Sequence, residues 1–218
     1  MITTAQPAVV RTAAELREIL GYPTERAVQK QLSALDKHCQ AFIARSPFLV
    51  LSTSNARGGC DASPKGDRPG FVLVLDEQTL VIPDRPGNRR ADSLLNILDN
   101  PQVGLLFLIP GMGETLRVNG SASIVQDRSL LEQLAVDGKE PQLAIVVKVQ
   151  ECFLHCAKAL IRSQLWKPER FMPRCEMPSL AQMIQDQLRP PGRSDQEHAR
   201  IIEEHARGTE EAYRNSLY

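Results

Sequence analysis

Four polar residues surround one Pro-Gly turn in the stretch VIPDRPGNRRADSLLNIL, where a strand is expected to pass into a helix. They are Arg85, Asn88, Arg89 and Arg90. Gly87 permits backbone angles that let the following amides converge on one anion, and a helix beginning near Asn88 adds unpaired N–H groups and a positive dipole end. Arginine guanidinium groups add charge-assisted hydrogen bonds. The stretch predicts a phosphate site, and an ordinary solvated loop remains the alternative.

A second polar group ends the predicted strand CDASPKGD. Ser63 contributes a hydroxyl, Lys65 contributes a cation, and Pro64 lies between them. If this strand lies beside the one that ends at Pro83, Lys65 and Arg89 can bind the same anion. The alternative is an ordinary strand end followed by a turn.

The segment ECFLHC contains residues that bind metals. Cys152, His155 and Cys156 offer thiolate and imidazole ligands that suit zinc. On a strand, however, alternation sends the two cysteines to one face and His155 to the other. Because no further cysteine pair lies nearby, buried free cysteines are favoured over a zinc site. His155 is either a proton donor in a cleft or a structural histidine.

Two common catalytic signatures are absent from the sequence. It contains no G-x-S-x-G elbow, and its other histidines, His38, His198 and His205, fall in predicted helices, which argues against a serine hydrolase. It also lacks a G-x-G-x-x-G fingerprint. A nicotinamide nucleotide would therefore enter as a transient substrate.

The composition indicates a globular protein with no general affinity for nucleic acid or membranes. The 26 basic and 26 acidic residues cancel, and 42% of the 218 residues are hydrophobic, so a core can form while no net charge attracts polyanions. No apolar run approaches the roughly 20 residues of a spanning helix, and no signal peptide is recognised. Five scattered cysteines suit reduced thiols and predict a cytoplasmic location.

Helices are predicted on both sides of a strand-rich middle. Thr12 and Glu15 have the spacing of a capping box before a short helix that Gly21 ends. Apolar residues recur at steps of four and three over residues 24–45, which predicts a second helix. Further helices are predicted from near Asn88 to Asn100, over 127–136, over SLAQMIQDQL and from Ser194 onward.

The middle of the chain consists of short apolar segments separated by tight turns. The predicted strands are FLVLSTS, CDASPKGD, GFVLVLD, TLVIPD, VGLLFLIPG, TLRVNGSASIVQ and LAIVVKVQECFLHC. Few long crossovers separate them, so we expect a mainly β fold whose antiparallel sheet curls into a barrel with flanking helices. Residues 1–45 are predicted to pack on the barrel, 46–166 to form it, and 167–218 to add a loop and helices, all in one domain.

The order of SPKGD, IPDRPGNRRADSL and ETLRVNG resembles the FMN-binding split-barrel family related to pyridoxamine 5'-phosphate oxidase. The likeness spans about residues 42–166 and is greatest to a bacterial branch that carries a segment like FLHCAKALIRSQLW. It implies an antiparallel split barrel that forms a homodimer, with one FMN in each of two clefts at the subunit interface.

The resemblance also implies which residues bind FMN. A lysine near the flavin phosphate and a strand lining the flavin correspond to residues 63–65, the phosphate loop to 85–89, and the arginine of the next hairpin to Arg117. The far side of the cleft, from the same or the partner subunit, corresponds to residues 162–166. The implied set is Ser63, Pro64, Lys65, Arg85, Asn88, Arg89, Arg117, Arg162, Ser163 and Trp166.

Three departures from the family pattern argue against oxidation of vitamin B6. Cys60 replaces an arginine of the true oxidases, Thr115 replaces a glutamine that contacts the flavin ring, and the C-terminal Arg/His motif has no counterpart. The predicted function is FMN-dependent oxidoreduction of another small molecule, with NADH or NADPH as a candidate reductant and the catalytic residues unknown. A flavin- or haem-binding carrier or sensor without turnover is the alternative.

Overall fold

The fold is built on one antiparallel sheet of seven strands. The computed structural model describes residues 8–218. In spatial order the strands run β2-β1-β5-β6-β7-β4-β3. Their bounds are β1 Phe48–Ser54, β2 Cys60–Gly66, β3 Leu73–Asp76, β4 Thr79–Pro83, β5 Gln102–Leu108, β6 Thr115–Val125 and β7 Ala144–His155. The prediction of a mainly β, antiparallel fold with flanking helices is confirmed.

Eight α-helices flank the sheet in the described part of the chain. They are α1 Ala13–Leu20, α2 Glu25–Gln29, α3 Lys37–Ile43, α4 Asp92–Asp99, α5 Arg128–Gln133, α6 Lys158–Ser163, α7 Leu180–Gln187 and α8 Asp195–Asn215. Short 3-10 helices occupy Pro168–Arg170 and Arg174–Glu176. Across residues 8–218 no helix combines the length and the apolar character that crossing a membrane requires.

Period-two alternation gives the sheet a buried inner face and a more exposed outer face. On β1, Leu49 and Leu51 are buried while Phe48 is exposed. The inner face of the neighbouring strands continues the core with Leu105, Phe107, Leu116 and Val118. Helices α3 and α4 contribute Phe42, Ile43 and Ile97 to the same core.

The sheet curls until its first edge approaches the end of β4. Lys65 on the inner side of β2 lies 2.9 Å (Nζ to Oδ1) from Asp84, which directly follows β4. In the sheet order, β2 is the first strand and β4 is the last but one, so these two strands are not hydrogen-bonded to each other. Side-chain ion pairs therefore bridge the seam of a barrel that is split rather than closed.

A bulge in β7 reverses the alternation of its second half. The pairing with β6 shifts between Asn119 and Gly120, so Gln150 has no partner. A Cβ at Gly120 would lie 2.2 Å from the carbonyl oxygen of Lys148, so only glycine permits this close approach. As a result, Val149 and Cys152 both face the core, and Phe153 and His155 face outward.

The prediction of one helix over residues 24–45 is wrong. Helices α2 and α3 are separated by a segment in which Leu32 forms a β-bridge with Cys152 and Leu35 N–H donates to Glu77 O. The apolar period misleads because Leu32 bonds to β7 and Leu35 to the turn between β3 and β4, so these leucines do not line a helix face. Asp36 then caps α3 by accepting from the amides of His38 and Cys39.

The ends of the other helices largely agree with the sequence. Thr12 accepts from the Glu15 amide at the start of α1, and Gly21 ends that helix with φ of 70°. Neither α1 nor α2 contains a buried residue, whereas α3 buries three. Helices α7 and α8 pack against each other, and His198 of α8 is buried against Asp186 of α7.

Candidate functional site

Two ion pairs join the ends of β2 and β4 at the seam. Lys65 pairs with Asp84, and Arg85 Nε lies 2.7 Å from Asp67 Oδ2. Arg85 also donates to the carbonyl of Leu134 at 2.9 Å. We call Lys65, Asp67, Asp84 and Arg85 the seam cluster. Its two cations and two carboxylates cancel in formal charge.

Asp67 is the most deeply buried member of the seam cluster, with 1% of its side chain exposed. Burial by itself raises its pKa. The Tyr218 hydroxyl (2.6 Å), the Arg68 amide (2.7 Å) and the Arg85 guanidinium outweigh that effect and hold the pKa of Asp67 below its ordinary value. Arg85 further lies 5.4 Å from the centroid of the Tyr218 ring. The guanidinium of Arg85 therefore already has two hydrogen-bond acceptors and an aromatic ring as protein partners.

Arg89 lies beside a helix start that lacks a side-chain cap. Helix α4 begins at Asp92, not near Asn88 as predicted, because Arg89 and Ala91 adopt left-handed conformations with φ of 61° and 57°. Within residues 8–218, no side chain accepts from the first-turn amides of α4. Asn88 accepts from the Arg90 amide, and Arg90 pairs with Asp92. Arg89 is exposed, and among the described residues it forms no ion pair.

Ser63 and Pro64 lie on opposite faces of β2. Ser63 shares the inner, half-buried side of the strand with Lys65, whereas Pro64 is exposed on the outer side. The strand therefore presents the hydroxyl and the lysine ammonium together. The side chain of Pro64 does not lie on the inner side with them.

A second group of basic and aromatic residues lies on the outer face of β6 and β7. Arg117 and Phe153 are cross-strand partners, and the Arg117 guanidinium carbon is 5.4 Å from the Phe153 ring centroid. Lys30 Nζ is 5.3 Å from the same centroid and donates to Leu154 O at 2.8 Å. The His155 ring lies 4.9 Å from that of Phe153. We call Lys30, Arg117, Phe153 and His155 the sheet-face cluster.

The surroundings of His155 favour its neutral form. Partial burial lowers its pKa, and the positive charges of Arg117 and Lys30 lower it further. Its Nε2 atom is buried and has no hydrogen-bond partner among residues 8–218. The imidazole can therefore serve as a neutral donor or acceptor to an added group.

The structure separates Arg117 from Lys65 within one subunit. The register runs from Lys65 through Leu49 and Phe107 to Leu116, so β2 and β6 are three strand spacings apart, about 14 Å. Arg117 also faces outward, whereas Lys65 faces inward. The two predicted cofactor contacts cannot meet one small group in the same chain.

The last three predicted residues lie around α6. Trp166 Nε1 donates to Met112 O at 2.8 Å, which fixes the segment against the turn between β5 and β6. Ser163 donates to Leu160 O, and Arg162 is exposed. Within the chain, none of the three contacts the seam cluster through a hydrogen bond or an ion pair in the described residues.

The cysteines of ECFLHC have different environments. Cys152 is buried, donates to Ala34 O at 3.2 Å and lies 4.0 Å (Sγ to Sγ) from Cys39. Burial raises the pKa values of both of these thiols. Cys156 is exposed, so the interpretation as buried cysteines holds only for Cys152. Within residues 8–218 no three His, Cys, Asp or Glu side chains group as metal ligands.

The sequence reasoning missed Lys30 and Phe153. No local pattern marks Lys30, because the Leu32–Cys152 bridge is what brings this residue to β7. A sign of Phe153 existed in the sequence, since strand alternation placed it on the same face as His155.

Comparisons with known proteins identify the family of the chain. The family model described as pyridoxamine 5'-phosphate oxidase matches residues 35–156. No curated protein matches the sequence. A variant of HupZ from Group A Streptococcus is 17% identical, with 56% of this chain and 99% of that chain covered and a TM-score of 0.46.

Two further solved structures have similar values. A putative pyridoxamine 5'-phosphate oxidase from Lactobacillus delbrueckii is 20% identical, covering 57% of this chain and 98% of that chain, with a TM-score of 0.44. HutZ, the haem storage protein from Vibrio cholerae, is 17% identical, covering 56% and 94%, with a TM-score of 0.39. Because the family model spans more than half of the sequence, the chain belongs to the pyridoxamine 5'-phosphate oxidase family.

Proposed function

We propose that the protein binds FMN and uses it in the oxidoreduction of a small molecule other than a B6 vitamer. The observation that carries the cofactor site is the start of α4, where Arg89 has no ion pair in the described chain and no side chain caps the first turn. An uncapped helix N-terminus beside a free guanidinium suits a phosphate dianion. Bound flavin would supply reversible electron transfer.

The candidate donor groups fit a phosphate in part. Arg89 and the first-turn amides of α4 are available, and Lys65 can exchange its Asp84 contact for one to the phosphate. Arg85 is less suited, because Asp67, Leu134 O and the Tyr218 ring already surround its guanidinium. We therefore assign phosphate binding to Arg89, Lys65 and the α4 amides, with Arg85 holding the loop in place.

A second copy of the chain is the proposed partner. On the outer face of β1 and β5, the cross-strand pairs Phe48–Leu108 and Val50–Leu106 form an incompletely covered apolar strip. Incompletely covered apolar side chains on one sheet face support a homodimer through the strip.

An FMN titration tests the cofactor proposal. We expect the purified protein to show flavin absorption or to acquire it when FMN is added. Arg89→Ala should weaken binding by about 1.5–3 kcal/mol, the range for hydrogen bonds to charged groups. Arg57→Ala, which removes another exposed arginine from the β1–β2 turn, is the matched control. A protein that never takes up FMN would disprove the proposal.

Reduction of the bound flavin separates an enzyme from a carrier. Under the proposal, NADH or NADPH reduces the flavin anaerobically, and a suitable acceptor reoxidises it. FMN that stays oxidised with both nucleotides would support the carrier alternative.

Light scattering tests the dimer. Leu106→Asp introduces a charge into the apolar strip and should yield monomers, whereas Leu95→Asp, on an exposed position of α4, should not. Wild-type protein that is monomeric at micromolar concentration would contradict the proposed interface.

A further inference from the structure

The sheet-face cluster contains two cations that no carboxylate neutralises. Lys30 and Arg117 both lie over Phe153, at 5.3 and 5.4 Å from its centroid. No Asp or Glu oxygen of the described chain lies within 4.0 Å of either cation. Glu151 shares this strand face, but its two oxygens accept from the amide groups of Gln31 and Asn119. The cluster is therefore a local concentration of positive charge.

An unpartnered imidazole nitrogen lies in the same cluster. His155 Nε2 is buried without a hydrogen-bond partner in residues 8–218, and the charged groups that act on the ring are the cations Arg117 and Lys30. Leaving a buried polar atom unpaired is unfavourable. An oxyanion would accept a hydrogen bond from Nε2–H and would also neutralise the cations, so one ligand type satisfies all three groups.

We propose that Lys30, Arg117 and His155 bind the carboxylate or phosphate group of a small-molecule substrate. The proposal rests on the flavin function above and names the class of substrate. The Phe153 ring lies beside both cations, so an apolar body attached to the anion has a surface to contact. The seam cluster is a poorer site for a second anion, because Asp67 and Asp84 neutralise its cations.

Binding of two probe anions tests the subsite. Benzoate carries a carboxylate on an apolar ring, and inorganic phosphate carries the other candidate group. Each is titrated into FMN-saturated protein while the His155 ring signals are followed by NMR. We expect saturable binding of at least one probe with a change in those signals. Arg117→Gln and, independently, Lys30→Gln should weaken it roughly tenfold or more, as loss of a charged hydrogen bond predicts.

Arg17→Gln is the matched control. Arg17 lies 5.7 Å from the Tyr22 ring centroid on α1, so this variant removes the same charge from a comparable arginine–aromatic pair elsewhere. It should leave anion binding unchanged, and circular dichroism checks that each variant is folded. Preference for benzoate or for phosphate assigns the substrate's anionic group.

Three results would overturn the subsite. The first is that neither probe shows saturable binding, and the second is that Arg17→Gln weakens anion binding as much as Arg117→Gln does. The third is that FMN abolishes anion binding, because the site would then be part of the cofactor's own phosphate site. FMN affinity is measured separately, in the wild type and in Arg89→Ala. These measurements show whether the FMN proposal also fails when the subsite is disproved.

Discussion

The seam cluster and the sheet-face cluster each contain one lysine and one arginine but differ in how these charges are balanced. At the seam, Lys65 and Arg85 each face an aspartate at 2.9 and 2.7 Å. On the sheet face, Lys30 and Arg117 share an aromatic ring and have no carboxylate partner in the described chain. Whether a basic side chain at a predicted site is available to bind an anion therefore depends on the carboxylates around it.

The two clusters should also differ in what they contribute. Removing one partner from a buried ion pair leaves the other charge desolvated, which strongly destabilises the fold. Removing an exposed cation from an aromatic face costs little stability. We expect the seam cluster to support folding and the sheet-face cluster to support binding.

The largest expected effect is that of Asp67→Asn. It leaves Arg85, 15% exposed, without its carboxylate, and should lower the free energy of unfolding by about 3 kcal/mol in urea titrations. Asp137→Asn is the control, since its pair with Arg68 is exposed on both sides and such pairs contribute about 0.2–1 kcal/mol. Equal losses in the two variants would remove the distinction between the clusters.

Acid should reduce the stability that Asp67 contributes. Its pKa is lower in the folded protein than its ordinary value of 3.8, so the folded state binds fewer protons in this range than the unfolded state. The contribution is complete above pH 3.8 and is lost as the pH falls through the lowered pKa. The stability difference between wild type and Asp67→Asn should therefore narrow as the pH falls below about 4. A constant difference would contradict this assignment.

Tyr218→Phe should have a smaller effect at the seam. It removes the 2.6 Å hydrogen bond to Asp67 but keeps the ring near Arg85. We expect a loss of about 1 kcal/mol in the free energy of unfolding. NMR titration should show the pKa of Asp67 moving up toward its ordinary value, because a hydrogen bond that favours the carboxylate is gone. An unchanged pKa would mean that the tyrosine does not stabilise this charge.

Arg117→Gln should have the smallest effect on stability, below about 1 kcal/mol. It should nevertheless raise the pKa of His155 toward its ordinary value of 6.5, because a repelling positive charge is removed. Protonation of His155 costs stability as the pH falls below that value, and the variant should reduce this loss. Arg17→Gln should leave the histidine titration unchanged. A large stability loss in Arg117→Gln would instead make the sheet-face cluster structural.

Much of the strand arrangement could be predicted from the sequence because its signals are local. Turn residues such as Glu77 and Gln78 separate apolar runs, and these runs became antiparallel neighbours. The helix over 24–45 could not be judged locally, since Leu32 bonds to β7 and Leu35 to the turn between β3 and β4, both distant in the sequence.

The sequence by itself determined which residues are strands, where most helices end and to which family the chain belongs, because alternation, capping and turn residues act between near neighbours. Only the tertiary structure decided which cations are neutralised and which face each side chain takes. Asp67 meets Arg85 because the sheet curls. Phe153 lies on the same face as Arg117 because the bulge in β7, opposite Gly120, reverses the alternation of that strand. Both depend on long-range packing, which no local pattern of residues encodes.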